Sequence, residues 1–369
     1  MRRARHFLIE SANLSDIVDA IPQGYDVIAP VKQEWAVNLA KIDSSADLAL
    51  GWKSDEHPGR YRLRRAATGL EGARPMTSPK WFTHRPIETL SNARRDENGD
   101  WQYETPMAPT VKQAFFGVRA CDVSGMLVMD RTFNRQFHDA QYDAARRNNI
   151  IIGISCFDPG NNCFCSTFNT GPELKDGFDI GLSDFNDKYL IEVATDAGAK
   201  IIAGVDVKPA GRRLLEIKEE RTAAARRRMA RAFDLQKAVK VLNANYDHPY
   251  WQEPSARCLS CANCINVCPT CYCYQIDDKS NLAQTETSRE RRWDACQNLE
   301  FAAVHGGNFR PKRVDRIRQW CNHKLNWTIE QYGCAGCVGC GRCITWCPTA
   351  IDITEPVWRL GGRAMKLAA

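Results

Sequence analysis

Seventeen of the 369 residues are cysteine, and their spacing decides what chemistry the chain can do. Two runs share one design: Cys258-x2-Cys261-x2-Cys264-x3-Cys268-Pro269 and Cys337-x2-Cys340-x2-Cys343-x3-Cys347-Pro348. Thiols this close in the chain cannot pair with one another as a set of disulfides. A short secreted framework would also carry an even number of cysteines behind a signal peptide. The spacing reads instead as thiolate metal ligands in a reducing compartment.

Each run matches the bacterial ferredoxin pattern, in which three closely spaced thiolates wrap one [4Fe–4S] cube and the fourth, before proline, ligates the other cube. One cluster is therefore assigned to Cys258, Cys261, Cys264 and Cys347, the other to Cys337, Cys340, Cys343 and Cys268. Gly339 and Gly341 are expected to relieve the backbone where it curls around the inorganic core. Freed backbone N–H groups would donate to the sulfurs, and Arg342 beside a ligand is a further candidate for tuning the potential. Single Cys-x2-Cys pairs also build zinc knuckles. A zinc-stabilised, non-redox binding module is the alternative that two complete four-cysteine runs argue against. Cys271, Cys273, Cys296, Cys321 and Cys334 have no ligand role in this scheme and are expected to be buried thiols or sulfur contacts.

The rest of the chain must position these groups. With 44% hydrophobic and 25% charged residues it can bury a real core and is not disordered in composition. A net charge of +6 allows basic patches but does not argue for nucleic acid. The start, Met1-Arg2-Arg3-Ala4-Arg5, resembles a twin-arginine signal, yet Glu10, Ser11, Asn13 and Asp16 interrupt any apolar region behind it. No apolar run approaches the roughly 18–20 residues that span a bilayer, so no membrane span is expected and the location is read as cytoplasmic. Short β-branched runs at 26–31, 114–118, 149–154 and 189–193 predict buried strands, and 122–133 and 137–147 have helical spacing. Residues 54–110, rich in Pro, Gly, Arg and Trp, are expected to be irregular. From 211 to 242 the pattern is helical, and its Arg226-Arg227-Arg228 stretch reads as a solvated face or, alternatively, a docking surface for a negatively charged partner. The expected architecture is α+β. An α/β domain over 1–205 precedes a helical linker over 206–250. A two-cluster ferredoxin-like domain over 251–369 follows, with an insertion at 274–333 that wraps the core and builds a subunit interface. Basic and aromatic segments around Trp251, Trp320 and Trp346 are expected to face partners.

Four cysteines stand in the first half: Cys121, Cys156, Cys163 and Cys165. Cys121 and Cys156 each follow a predicted strand, and neighbouring strand ends in an α/β sheet point the same way, so four thiolates could meet there. Gly117-Val118-Arg119-Ala120-Cys121-Asp122, Cys156-x6-Cys163-Phe164-Cys165, Thr170-Gly171-Pro172 and Cys268-Pro269-Thr270-Cys271-Tyr272-Cys273 together resemble a specific family. It is that of the β (iron–sulfur) subunits of soluble NAD(P)-linked sulfhydrogenases, the bidirectional [NiFe] hydrogenases, with a related iron–sulfur component in anaerobic sulfite reductase. The resemblance extends over nearly the whole chain; it departs at Ala120, where proline is expected, and at the extra Cys334. It implies a non-catalytic electron-transfer subunit. Its partners would be the small and large hydrogenase subunits together with a flavin- and NAD(P)-binding subunit. A role in a sulfite- or polysulfide-reducing complex is the alternative. No [NiFe] ligand pairs and no Gly-x-Gly-x-x-Gly after a strand are present. For the N-terminal four, a third [4Fe–4S] cluster is the leading reading, beside structural thiols or a redox pair at Cys163 and Cys165.

Overall fold

The computed structural model describes residues 5–106 and 111–362; residues 1–4, most of the arginine-rich start, lie outside them. The first strands are β1 (Arg5–Glu10), β2 (Asp26–Gln33) and β3 (Ala36–Lys41), followed by hairpins β4 (Trp52–His57)–β5 (Arg60–Arg65) and β6 (Ile87–Arg95)–β7 (Trp101–Glu104). Then come β8 (Gln113–Arg119), β9 (Ile150–Ile154), β10 (Ile180–Asp184), β11 (Lys188–Val193) and β12 (Lys208–Pro209). Eight of these form one sheet in the order β12-β1-β11-β10-β9-β8-β2-β3.

The middle of that sheet is parallel: β2 with β8, β8 with β9, and β9 with β10. Strands β8, β9 and β10 are buried at every position. Phe116, Ile152, Ile154, Ile180 and Leu182 pack in one core, while Phe115, Val118 and Ile151 pack in another. Continuous apolar strands are what a parallel sheet covered on both faces requires. The crossover from β8 to β9 runs through the helix Ala120–Phe133. Register pairs Arg119 with Ile154, so the ends of β8 and β9 lie side by side.

The helical stretch after the sheet is two helices, Arg212–Arg227 and Leu235–Ala244. The segment expected to be irregular is more ordered than its composition suggests, because it holds both hairpins and the short helix Lys80–Thr83. Its strands are short and carry few apolar residues, so what alternation they have, as in Tyr61 and Leu63 of β5, is too brief to mark them. The hairpins are held by what they touch. Gly59, at the tip of β4–β5, donates from its N–H to the Ile344 carbonyl at 3.0 Å. Strand β6 pairs with β14 (Glu286–Trp293), itself paired with β13 (Tyr274–Ser280), so that residues near 90 and near 290 share the sheet β13-β14-β6-β7. Buried Arg291 ties this sheet down through Glu88 and Asp139.

A second core gathers Trp251, Ile265, Ile317, Trp320, Leu325, Ile344, Ile351 and six of the eight cysteines of the two runs. Trp251 and Trp320 are buried here, 1% and 4% exposed, so they pack the interior instead of facing partners as expected. Among the described residues, no helix is long and apolar enough to cross a membrane.

Candidate metal centres

The two cysteine runs are folded alike. In the first, Ser260 and Ala262 have φ of 53° and 62°; in the second, the equivalent Gly339 and Gly341 have φ of 63° and 75°. The left-handed residues swing the chain back on itself, and an amide then meets the first sulfur. Ser260 N–H donates to Cys258 Sγ and Gly339 N–H to Cys337 Sγ, both at 3.3 Å. A short helix follows each loop, Asn263–Asn266 and Arg342–Thr345. After each Cys-Pro a threonine hydroxyl lies against the last sulfur: Thr270 at 3.3 Å from Cys268, and Thr349 at 3.5 Å from Cys347. Ile351 N–H adds a donor to Cys347 Sγ at 3.3 Å.

One cavity is lined by Cys258, Cys261, Cys264, Cys343 and Cys347, closed by Ile317, Trp320 and Ile351. Three of these thiols come from the first run and two from the second, so Cys347 lies with the first run's three as the exchange requires, and Cys343 borders the same space. Cys337, Cys340 and Cys343 each feel the charge of Cys268, which places that sulfur beside the second set. Burial pushes the Cys264, Cys337 and Cys343 thiols up, and Cys340 up to about 11. Thiols so buried form thiolates on binding a metal, which supplies the missing positive charge. Donor sulfurs converging on small, largely apolar cavities suit a cubane core.

The N-terminal four also meet. Cys121 opens the helix after β8, Cys156 follows β9, and Cys163 and Cys165 come round in the next loop. All four line one cavity, together with Cys340 of the second run. Burial pushes each of the four thiols up. Three buried guanidiniums surround them. Arg119 donates to Cys156 Sγ at 3.1 Å and to the carbonyls of Glu71 and Ala73. Arg74 pairs with Glu56 at 3.2 Å. Burial opposes its charge, yet Glu56 and the sulfurs of Cys163 and Cys156 outweigh burial and raise its pKa. Arg342 pairs with Asp122 at 2.7 Å, and Asp122 also accepts the N–H of Arg119. Cations crowded around four sulfurs fit a centre that is anionic when filled.

Gly339 and Gly341 do more here than open a loop. A Cβ on Gly339 would lie 2.5 Å from the nitrogen of Cys165, and one on Gly341 would run into the Asn162 carbonyl. The loop carrying Cys163 and Cys165 is thus laid directly on the second run, where Phe164 N–H donates to the Gly339 carbonyl at 2.8 Å. Thr170 Oγ1 donates to Val338 O at 2.8 Å. The first run carries Ser260 and Ala262 at the same φ. Arg226 and Arg228, expected on a solvated face or docking surface, reach back to this loop, Arg226 to Asn169 and Arg228 to Asp158 and the Phe157 carbonyl. Arg119 and Asp122 belong to the 117–122 motif around Cys121. Arg74 and Glu56 gave no signal, because they lie in the stretch read as irregular.

Two such runs packed into one core, each with an amide donor to its first sulfur, define an iron–sulfur protein of the two-cluster ferredoxin class. The 4Fe-4S dicluster domain family matches residues 257–351, and the chain carries [4Fe–4S] clusters. Sulfhydrogenase 2 subunit beta of Pyrococcus furiosus is 32% identical over 308 residues, 80% of this chain and 87% of that protein. The chain belongs to the family of sulfhydrogenase β subunits and is an iron–sulfur electron-transfer subunit of a larger hydrogenase complex. No solved structure matches it.

Proposed function

We propose that the chain relays electrons through three [4Fe–4S] centres in a fixed order, within a cytoplasmic complex. The centres are the set Cys258, Cys261, Cys264 and Cys347; then Cys337, Cys340, Cys343 and Cys268; then Cys121, Cys156, Cys163 and Cys165. The observation that carries this order is the double placement of the second set. Its Cys343 borders the cavity of the first set, and its Cys340 borders the cavity of the N-terminal four. The middle centre thus touches both others, and no longer jump is needed. The ends of the relay would face the [NiFe] hydrogenase subunits on one side and a flavin- and NAD(P)-binding subunit on the other. Cys261 is the exposed ligand of the first set, and Leu259 beside it is 62% exposed, which makes this edge the natural contact for one partner.

Each [4Fe–4S] cluster gains and loses one electron with little movement of atoms. The chain holds the ligand sulfurs, excludes water from them and sets the local charge. Amide donors from Ser260, Gly339 and Ile351 favour the electron-rich state of the sulfurs. Arg119, Arg74 and Arg342 do the same for the N-terminal set.

Iron and acid-labile sulfide per chain, measured after strictly anaerobic purification, test the number of centres. About twelve of each supports three cubanes, and about eight confines them to the ferredoxin half. The double variant C163S/C165S should fall from about twelve to about eight. An unchanged count in that variant would remove the N-terminal four from the relay.

A further inference from the structure

The two ferredoxin runs differ behind their last cysteines. Each Cys-Pro is followed by a threonine whose hydroxyl lies against sulfur, Thr270 at 3.3 Å from Cys268 and Thr349 at 3.5 Å from Cys347. For Thr349 Oγ1 that sulfur is the one hydrogen-bond partner among the described residues. Thr270 is 1% exposed and its hydroxyl has two partners more. Lys324 Nζ donates to Thr270 Oγ1 at 2.9 Å, and the Gly336 carbonyl stands 2.7 Å from the same oxygen.

A hydroxyl has a single proton to give. Lysine Nζ donates here, so Thr270 accepts from Lys324 and its own proton goes either to Gly336 O or to Cys268 Sγ. Turning a donor away from a buried carbonyl ordinarily leaves an unmet acceptor, which is costly. Here the carbonyl keeps a donor either way, because Lys324 Nζ also donates to Gly336 O at 2.8 Å. The surroundings hold the other parts still. Gly336 N–H donates to Thr328 Oγ1 at 2.5 Å, and a Cβ on Gly336 would stand 3.0 Å from Thr328 Cγ2. Lys324 lies on the π-helical turn His323–Trp327, between the helices Arg313–Asn322 and Thr328–Tyr332. A regular helix of about 3.6 residues per turn sends successive side chains to different sides, yet Lys324, Leu325 and Asn326 are all buried. Such turns occur most often at functional sites. Rotation of the Thr270 hydroxyl is then the one motion this group needs.

We propose that Thr270 sets the potential of the centre held by Cys268, Cys337, Cys340 and Cys343: its hydroxyl turns from Gly336 O to Cys268 Sγ when that centre takes an electron. This rests on the ligand set proposed above. The electron makes the sulfurs more negative, and a more negative sulfur is a stronger acceptor. A hydrogen bond that strengthens on reduction favours the reduced state and raises the potential. The electron comes from the neighbouring centre in the relay, and the proton stays on Oγ1 throughout. Lys324 is a positioning residue here: it orients the hydroxyl and covers the carbonyl that the hydroxyl leaves. Thr349 has no such lysine, so of the two ferredoxin centres only this one has the arrangement.

The test is an EPR-monitored redox titration of the anaerobic complex, with iron per chain, in wild type, Thr270→Val, Thr270→Ser and Cys268→Ala. Thr270→Val keeps the shape and removes the hydroxyl. It should leave iron unchanged and lower one midpoint. At the wild-type midpoint the reduced-to-oxidised ratio of that centre should fall about tenfold, ~59 mV for one electron. Thr270→Ser should restore the wild-type midpoint, which packing of the threonine methyl would not do. Reduced-minus-oxidised infrared spectra should show an amide carbonyl band moving up in frequency as Gly336 O loses one of its two donors. Wild type and Thr270→Ser should have that band and Thr270→Val should lack it. An unchanged or higher midpoint in Thr270→Val at full iron overturns the proposal. So does loss of about four irons in that variant, which would make Thr270 a structural tie. Either result leaves the ligand set standing if Cys268→Ala loses about four irons; Cys268→Ala with full iron removes the ligand set itself, and the proposal with it.

Discussion

Replacing Gly339 by alanine should empty the N-terminal centre while leaving the first ferredoxin set filled. Two costs add at this position. The residue has φ of 63°, and an L side chain there costs about 1–2 kcal/mol. The new methyl would also stand 2.5 Å from both the Cys165 nitrogen and the Phe164 carbonyl carbon, and 2.6 Å from Cys165 Cα. These are backbone atoms, so no side chain can turn away and the loop must lift; overpacking of this kind costs about 1–3 kcal/mol. The total is on the order of 3 kcal/mol. Drawn from the docking of residues 162–165, it lowers the docked-to-lifted ratio by roughly a hundredfold. The assay is iron per chain with the denaturant midpoint, beside the control A262G. That control sits at the matching place in the first run with φ of 62° and should change stability by less than about 1 kcal/mol. G339A is expected to hold about eight irons instead of about twelve. A G339A protein with full iron and an unshifted midpoint would refute the claim that this glycine carries the loop.

Other outcomes follow from the buried charges. Lys324→Met removes a cation near Cys268 and Cys337. At roughly 7 Å and an effective dielectric of about 20 that charge is worth about 2 kcal/mol, so the middle centre should become harder to reduce by on the order of 100 mV in an EPR-monitored titration; a potential that stays put or rises would count against it. His84 and His323 are held neutral, at about 3 and about 4, first by burial and then by Arg291 and Lys80 for His84 and by Lys324 and Arg310 for His323. Both folded values lie below the unfolded value of about 6.5, so the unfolded chain binds more protons and stability falls as pH drops from about 6.5 toward 4. Between pH 7 and 5.5 each should cost about 1 kcal/mol, read as a lower urea midpoint, and H84N should lose roughly half of that dependence.

How much of this was legible in the sequence varies by the range of the interaction. The ferredoxin runs were readable because a cubane fixes ligand spacing within a dozen residues. The meeting of Cys121 and Cys156 was readable from strand ends, since parallel neighbours point one way. The apolar strands β2, β8, β9 and β11 announced themselves by burial on both faces. Hairpins β4–β5 and β6–β7 did not, because their partners lie some 200 residues or more away: Gly59 meets Ile344, and Ile87 meets Arg292. Arg74 escaped because it sits in the stretch read as irregular, where no periodicity points it at Glu56 or at the sulfurs of Cys156 and Cys163. Trp251 and Trp320 misled because an aromatic in a basic stretch reads as surface, while here the rings fill the core behind the cysteines.

The placement of Cys347 beside Cys258, Cys261 and Cys264 has a consequence for how the molecule is made. The cavity of the first set lacks a wall until residue 347 arrives, and the loop bearing Cys163 and Cys165 has nothing to lie on until residues 338–341 are in place. During synthesis, the first three hundred residues present thiols with no finished pocket around them. One short stretch, residues 338–351, therefore supplies walls to both the first set's cavity and the cavity of the N-terminal four. A chain interrupted before that stretch would leave these thiols without the walls that bury them in the complete fold.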